Sequence, residues 1–505
     1  MLKGNAMNRP LACLFVSLAL SGTAPARDLV GVYEDALKSD PQIRQADANR
    51  LASREARPQA WAALLPQIDG ALSRTQDKSD GTEGNVTIDS TGAPRPVTTP
   101  FSTNSISKAW SLNLRENLFS WSNWMAVKQA DIEVVQAEAT YKAAQQSLIL
   151  RVSQAYFNVL AALDGLEANQ ASLEAISRQL DQANKRFEVG LIAITDVQEA
   201  KAARDTAAAA VIAAKRTLAT AGDQLSEITG QKYDALNKPG EDMPLNSPQP
   251  ASEDEWVTVS LDQNVSLLSS RLAADIAREN VKIAFGGHLP TLDLIASKSR
   301  STSGTTETFP PAAPSGFDSS TNDRRYTLQL SVPLFSGGLT QSKVRQSQYL
   351  WIAAKEQVVQ TSRATERQAR DAYLGVISGI ARVRALRQAL ESSQTALKAT
   401  EAGYEVGTRT AVDVLNSRRI LVQAQTDYAV SRYDYIVSVI QLRLAAGNLS
   451  QTDVTEVNKW LAVSAPTVPA QPIQPPAQPQ VMEQPQSQPQ PQQAPQPPTP
   501  NPPQR

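Results

Sequence analysis

One cysteine and one histidine in 505 residues leave no room for a multi-ligand zinc, haem or iron–sulfur site. With Cys13 as its lone thiol, the chain also lacks intramolecular disulfides. Lysine plus arginine number 49 and aspartate plus glutamate 50, so the basic excess that nucleic-acid binding demands is missing. Aromatic residues reach only 5 %, too few anchors for thick globular cores. Beyond residue 26 no 18 consecutive residues are apolar, which excludes a helical membrane span but not a transmembrane β-barrel. No Ser–His or Cys–His set stands out, and no acidic pair sits in a recognisable loop, so catalysis has little support. The length fits two to four domains or one elongated architecture.

The N-terminus reads as an export signal, residues 1–26. Lys3 and Arg9 precede the apolar run Leu11 to Leu20, and Ala24-Pro25-Ala26 forms a small-x-small cleavage site, with Met1 or Met7 as the start. The run is half the roughly 20 residues a spanning helix needs. Cys13 lies inside it, so the exported chain is expected to be cysteine-free. At the other end, 15 of the 32 prolines fall in the last 41 residues. Residues 464–505, mostly Pro and Gln, are expected to form a disordered tail.

Between these ends the chain repeats itself. Ala155-Tyr156, Val189-Gly190, Asp196-Val197, Leu225 and Gly230 return 217 residues later as Ala372-Tyr373, Val406-Gly407, Asp413-Val414, Leu442 and Gly447. The implied units are residues 27–245 and 246–463, the second with additional segments. Each has the same grammar: a helical stretch, a Leu-Pro pair, two alternating segments, a very long helix, a Val-Gly turn and another helix.

The alternating segments read as strands. Tyr326, Leu328, Leu330, Val332 and Leu334 share one face. Trp110, Leu112, Leu114 and Leu118 do the same, with Glu116 interrupting, and Leu292, Leu294 and Ala296 mark a third strand. Ile68, Gly70 and Leu72 mark a weaker fourth. Residues 80–105 and 302–324, rich in Ser, Thr, Gly and Asp, are expected to be surface loops. Proline is absent from 101–238 and from 334–465, and residues 122–188 contain one glycine, Gly165. Those residues predict a rod of roughly 100 Å. Leu148, Val152, Ala155, Val159 and Ala162, then Leu173, Ile176, Leu180, Ala183 and Phe187, follow coiled-coil spacing.

Four strands cannot close a barrel, since single-chain barrels begin at 8, and a long exported rod cannot bury its seam alone. Oligomerisation solves both problems, with 8, 12 or 16 strands allowed. The alternative is a pore-less exported coiled-coil adaptor or tether, against which the alternating segments speak. Six aromatics, Trp110, Phe119, Trp121, Trp124, Tyr326 and Phe335, lie near strand ends, either as a membrane-interface girdle or as packing where sheet meets helices.

Four stretches carry a closer likeness: Arg178 to Gln182, Arg186 to Gln198, Gly287 to Leu294, and Glu401 to Leu415. Through them, and across nearly all of residues 28–462, the chain resembles the TolC family of outer-membrane channel-tunnels. The resemblance implies an α+β membrane protein: a homotrimer with a 12-stranded outer-membrane β-barrel, four strands per chain, continued by an α-helical coiled-coil barrel in the periplasm. It implies an exit duct for tripartite efflux pumps and type I secretion, surrounded by outer-membrane lipid, with its tunnel and C-terminal tail in the periplasm. The implied partners are a periplasmic adaptor and an inner-membrane transporter of the RND, ABC or MFS class, with no cofactor, metal or nucleic acid.

Gly190 and Gly407 read as left-handed helix terminators. The resemblance adds adaptor docking at the turns Val189-Gly190-Leu191 and Val406-Gly407-Thr408. Beside these turns, Phe187 and Ile192 of the first half become Tyr404 and Arg409 in the second. Polar residues there read either as a solvated face or as bonds between neighbouring helices, for which Arg offers a rigid fork of donors. The resemblance implies a gate in which Arg409 bonds Thr195 and Asp196, Tyr404 bonds Gln179, and Glu401 joins the set. The gate would open as the coiled-coil helices untwist. Asp413 would form an acidic ring at the closed end; Asn416 stands where the family carries a second acid, which implies weaker block by multivalent cations. His288 matches a family position, and its expected role is structural.

Overall fold

The computed structural model describes residues 26–240, 243–310 and 312–467. The expected signal peptide, apart from Ala26, and the tail beyond Thr467 lie outside the described residues. Three helices, α1 (Leu29–Ser39), α2 (Pro41–Arg54) and α3 (Ala56–Ala62), lead to strands β1 (Gln67–Ile88) and β2 (Pro94–Phe119). Helices α4 (Trp121–Glu188) and α5 (Ile194–Thr229) follow, then strand β3 (Ala235–Pro239). The second half runs through α6 (Glu253–Gln263), α7 (Val265–Phe285), β4 (Thr291–Thr308), β5 (Ser315–Ser331), α8 (Leu339–Glu405), α9 (Ala411–Ala445), α10 (Gln451–Asn458) and β6 (Leu461–Pro466).

The long strands form one antiparallel sheet in the order β1-β2-β4-β5, leaving β1 and β5 as its edges. The segments read from sequence as polar loops are instead mostly strand. Ile88 still pairs with Pro94, and Glu307 with Ser315, so each hairpin continues to a short connection. The physical reason is that ladder bonds belong to the backbone, and Thr and Ser tolerate the pleat. Ser105, Ser107, Ser303 and Thr305 add hydroxyl bonds of 3.1–3.2 Å across β2 and β4. At the opposite end β5 stops at Ser331, before Val332 and Leu334, because Pro333 has no N–H for the ladder.

Sheet passes to helix over a bulge at Asn117/Phe119 and the N-cap of Ser120, whose hydroxyl accepts from the Asn123 N–H at 3.3 Å. Helix α4 then runs for 68 residues, roughly 100 Å, and α8 for 67. Of the expected seam, Leu148, Val152, Ala155, Val159, Ile176 and Ala183 are buried, whereas Phe187 is exposed. Among the described residues no helix is long and apolar enough to cross a membrane.

The main core lies where α4, α9 and α5 pass α1, α10 and the β3–β6 pair. Phe157 stacks on Tyr433 at 5.7 Å. The Tyr156 hydroxyl donates to the Asn237 carbonyl, and that of Tyr433 to the Asp164 carboxylate, both at 2.6 Å. Ser464, Ala465 and Pro466, assigned from sequence to the disordered tail, belong here as part of β6, paired with Asn237, Leu236 and Ala235. Polarity and proline marked them as tail; the partner strand, 227 residues upstream of Ser464, was not readable locally.

Candidate functional site at the paired helix turns

The α4–α5 and α8–α9 turns have the same backbone solution. Gly190 and Gly407 take φ of 75° and 80°, a region costly for residues with a Cβ. The Gly190 N–H donates to Phe187 O and that of Leu191 to Arg186 O, both at 2.9 Å. In the second turn Gly407 donates to Tyr404 O at 3.2 Å and Thr408 to Gly403 O at 2.8 Å. Each is a Schellman closure that satisfies two terminal carbonyls. Nothing lies within 4 Å of a Cβ placed on either glycine, so conformation alone requires them. Val189, Leu191 and Val406 are 68 %, 73 % and 75 % exposed, and Thr408 is exposed as well. The two tips therefore present apolar side chains on fixed backbones.

The helices that leave the turns start differently. Thr410 caps α9, with Asp413 three residues on. The carboxylate accepts from the Thr410 N–H at 2.9 Å and its hydroxyl at 3.0 Å, while the Asp413 N–H donates to Thr410 Oγ1 at 3.2 Å. This is a full capping box. Those bonds, with the nearby Arg409 charge, hold the Asp413 carboxyl below the usual carboxylate range. At the equivalent start of α5, Ala193 stands where Thr410 would be and offers no side-chain cap, although Asp196 occupies the position of Asp413.

The remaining expected site residues gather near these tips. The Arg186 guanidinium lies 5.3 Å from the centre of the Tyr404 ring, tying the ends of α4 and α8. Glu401 is ion-paired with Arg418 of α9. Gln179 is partly buried, and its amide nitrogen has no partner among the described residues. Arg409 and Thr195 are exposed, and Asp196 is half-buried. Among the described residues of a single chain, no hydrogen bond joins Arg409 to Thr195 or Asp196, or Tyr404 to Gln179. Asn416 accepts from Arg419 at 2.9 Å and shares a cleft of about 550 Å³ with Asp413, between α9 and the α4–α5 pair.

Arg186 and Arg418 were missed by sequence reasoning. Arg186 sits inside one of the quoted stretches, yet only the fold shows its guanidinium over a ring 218 residues away. Arg418 lies 17 residues beyond Glu401, a separation that acquires meaning only once α9 folds back on α8. His288 is exposed in a short 3₁₀ turn, its ring 5.8 Å from that of Phe285. Trp124 meets Trp61 edge to face at 6.1 Å where sheet gives way to helix, whereas Trp110 and Tyr326 stand exposed on the apolar sheet face. Among the described residues no group of three or more His, Cys, Asp or Glu is placed to hold a metal ion.

The family described as "Outer membrane efflux protein" matches residues 32–231 and 256–448. The outer membrane protein TolC of Escherichia coli K12 is 37 % identical over 471 residues, covering 91 % of both chains. The TolC of Vibrio cholerae is 36 % identical, over 90 % of this chain and 99 % of its own. The alkaline protease secretion protein AprF of Pseudomonas aeruginosa is 29 % identical, over 89 % of this chain and 90 % of its own. Among solved structures, the CmeC outer membrane channel of Campylobacter jejuni superposes with a TM-score of 0.66 at 18 % identity, covering 91 % of this chain and 98 % of that one. That last likeness speaks for the fold alone.

Proposed function

The chain belongs to the outer membrane efflux protein family, and from that premise we propose how its residues build and close a duct. It is an outer-membrane exit duct for efflux and type I secretion. In our reading three copies supply twelve strands to one barrel and their long helices to one periplasmic tunnel, and the two halves of each chain are tandem repeats. A periplasmic adaptor docks at the Val189-Gly190-Leu191 and Val406-Gly407-Thr408 turns, and an inner-membrane transporter of the RND, ABC or MFS class delivers the cargo. The duct itself uses no catalytic group or cofactor.

The observation that carries the assembly is the open sheet. Its edges β1 and β5 run for 22 and 17 residues, while Leu72 (88 % exposed), Tyr326, Leu328 and Leu330 stand out from one face. Free edges and such an apolar face persist neither in water nor in lipid unless the sheet closes. In the order β1-β2-β4-β5 neighbours alternate in direction, so β5 of one copy meets β1 of the next antiparallel. The apolar face then meets lipid, and the Asp69, Asn113 and Gln329 face lines the lumen.

For the closed end, the reading is a set of bonds between neighbouring helices. The Arg409 guanidinium, with no hydrogen-bond partner of its own chain among the described residues, is free to bond Thr195 and Asp196 of an adjacent copy. In this reading Tyr404, which lies under the Arg186 guanidinium, bonds Gln179, and Glu401 completes the set. Opening follows when these bonds break and the helices untwist. Asp413, kept ionised, forms the ring of charge, and Asn416 leaves that ring single, so trivalent cations block weakly. Planar-bilayer conductance of the full chain tests the gate. Small wild-type steps should grow several-fold in Tyr404→Phe/Arg409→Ser. Equal steps would discard the gate, and no steps from intact oligomers would favour a pore-less tether.

A further inference from the structure

We propose that the outer surface of the sheet carries a binding belt for the phosphate groups of outer-leaflet lipids, formed by Arg74, Lys108, Lys298, Arg300 and Arg324. The proposal rests on the barrel reading above, which makes the apolar face the lipid-facing one. On that face the apolar run nearest the helices gives way to a cation on every strand, moving toward the hairpin tips, although Ile106 follows Lys108 on β2 and Val86 and Ile88 stand near the tip of β1. Leu72 is followed by Arg74 on β1, Trp110 by Lys108 on β2, and Tyr326 by Arg324 on β5. On β4, Ala296 is followed by Lys298 and then Arg300. The opposite edge of the band carries no cation on this face; β1, β2, β4 and β5 meet it at Pro66, Ser120, Pro290 and Ser336.

The register sharpens the point. Arg74 is paired directly with Lys108, and Lys298 directly with Arg324, while Arg300 faces Trp110. Like charges directly opposite on a sheet destabilise it. All five side chains are exposed, and among the described residues none forms a salt bridge. Lys298 finds only the Trp110 ring, 6.0 Å from its ammonium. On the other face two acids near the helices have partners. Asp69 accepts from Asn113 at 2.9 Å, and Asp293 accepts from Asn117 at 3.1 Å with Arg115 at 3.6 Å. The register sets Arg74 and Lys108 level with Thr302, four positions beyond the Lys298 and Arg324 pair, so the five unmatched cations form a band that an anion beside it would compensate.

With the helices in the periplasm, this edge of the apolar band meets the headgroups of the outer leaflet. Acyl chains would pack on Leu72, Trp110 and Tyr326 while phosphate monoesters bridge the paired cations, as basic clusters beside an apolar surface hold anionic headgroups. In a trimer the belt recurs three times. A free phosphate ion offers the charge without the acyl contacts, so the site selects the lipid.

The test is native mass spectrometry of the full-chain oligomer with a multi-acylated diglucosamine lipid bearing two phosphate monoesters, beside the same lipid dephosphorylated. The wild type should retain the phosphorylated lipid at least about tenfold better, and the preference should weaken as salt rises. Arg74→Gln/Lys108→Gln and Lys298→Gln/Arg300→Gln/Arg324→Gln, made separately, should each erode it. Inorganic phosphate at equal concentration should not displace the lipid. Equal retention of both lipids by the wild type overturns the belt without recourse to any variant, and displacement by inorganic phosphate overturns the assignment to lipid. Conductance of the same samples separates the readings. Pores without lipid preference remove the belt alone, and intact oligomers without pores remove the barrel and the belt together.

Discussion

The two helix turns are equal in backbone and in their valine tip, and unequal in the residues that lead out of it. Gly190 and Gly407 close their helices with the same pair of bonds at nearly the same φ. Yet one turn continues through Ile192 and the uncapped Ala193, the other through Arg409 and the capping box of Thr410 and Asp413. A shared frame can thus keep its apolar tip in both copies while polar chemistry is confined to one. In a ring of chains the two kinds of turn would alternate, setting a polar tip beside an apolar one at every junction.

Substitutions at the frame should give the largest stability effects. Gly190→Ala and Gly407→Ala should each cost about 1–2 kcal/mol, because the left-handed conformation penalises a Cβ. With no atom near either Cβ, the two losses should match within about 0.5 kcal/mol. Thermal unfolding of the oligomer measures both, and a marked difference would break the equivalence of the frames. Smaller effects should follow from the caps. Thr410→Ala should loosen the first turn of α9 by about 1 kcal/mol, whereas Ala193→Thr should tighten α5 by up to about that amount by completing a box with Asp196. Amide exchange at the two helix starts reads each change; no gain from Ala193→Thr would show that the missing hydroxyl is not what separates the turns.

The smallest effect is on acid sensitivity. The Asp413 carboxyl is depressed chiefly by its bonds from the Thr410 backbone and hydroxyl. Its capping contribution is therefore complete above the ordinary carboxylate pKa of about 4 and is lost as pH falls through the lowered folded value. Exchange at the start of α9 should quicken on acidification below about pH 4, and Asp413→Asn should remove that dependence. Unchanged acid dependence in the variant would move its origin elsewhere.

Much of this arrangement was legible in sequence because it is local. Proline-free stretches, Val-Gly turns and coiled-coil spacing mark α4, α5, α8 and α9, and alternation marks the part of each strand nearest the helices. The upper strands were illegible because Ser, Thr and Gly are as common in loops as in water-exposed ladders. Strand β6 was illegible because its partner is β3, far back in the chain. At the turns, residue types were readable but pairings were not: Arg186 with Tyr404 and Arg418 with Glu401 join separate helices. The charge belt was hidden for a related reason, since its like-charged pairs exist only across the register.

The placement of the main core has a mechanical consequence. Tyr156, Phe157, Leu160 and Tyr433 lie in one packed region partway along the helices, whereas the buried cluster nearest the first turn is only Ala183, Val197 and Ala200. The helix pairs beyond the core are cantilevers, clamped at one end and lightly braced at the other. From Leu166 to Glu188 the free length of α4 is roughly 33 Å, so a tilt of roughly ten degrees carries the tip about 6 Å. A load applied at the turns would bend the far ends while the sheet, on the other side of the clamp, stays still.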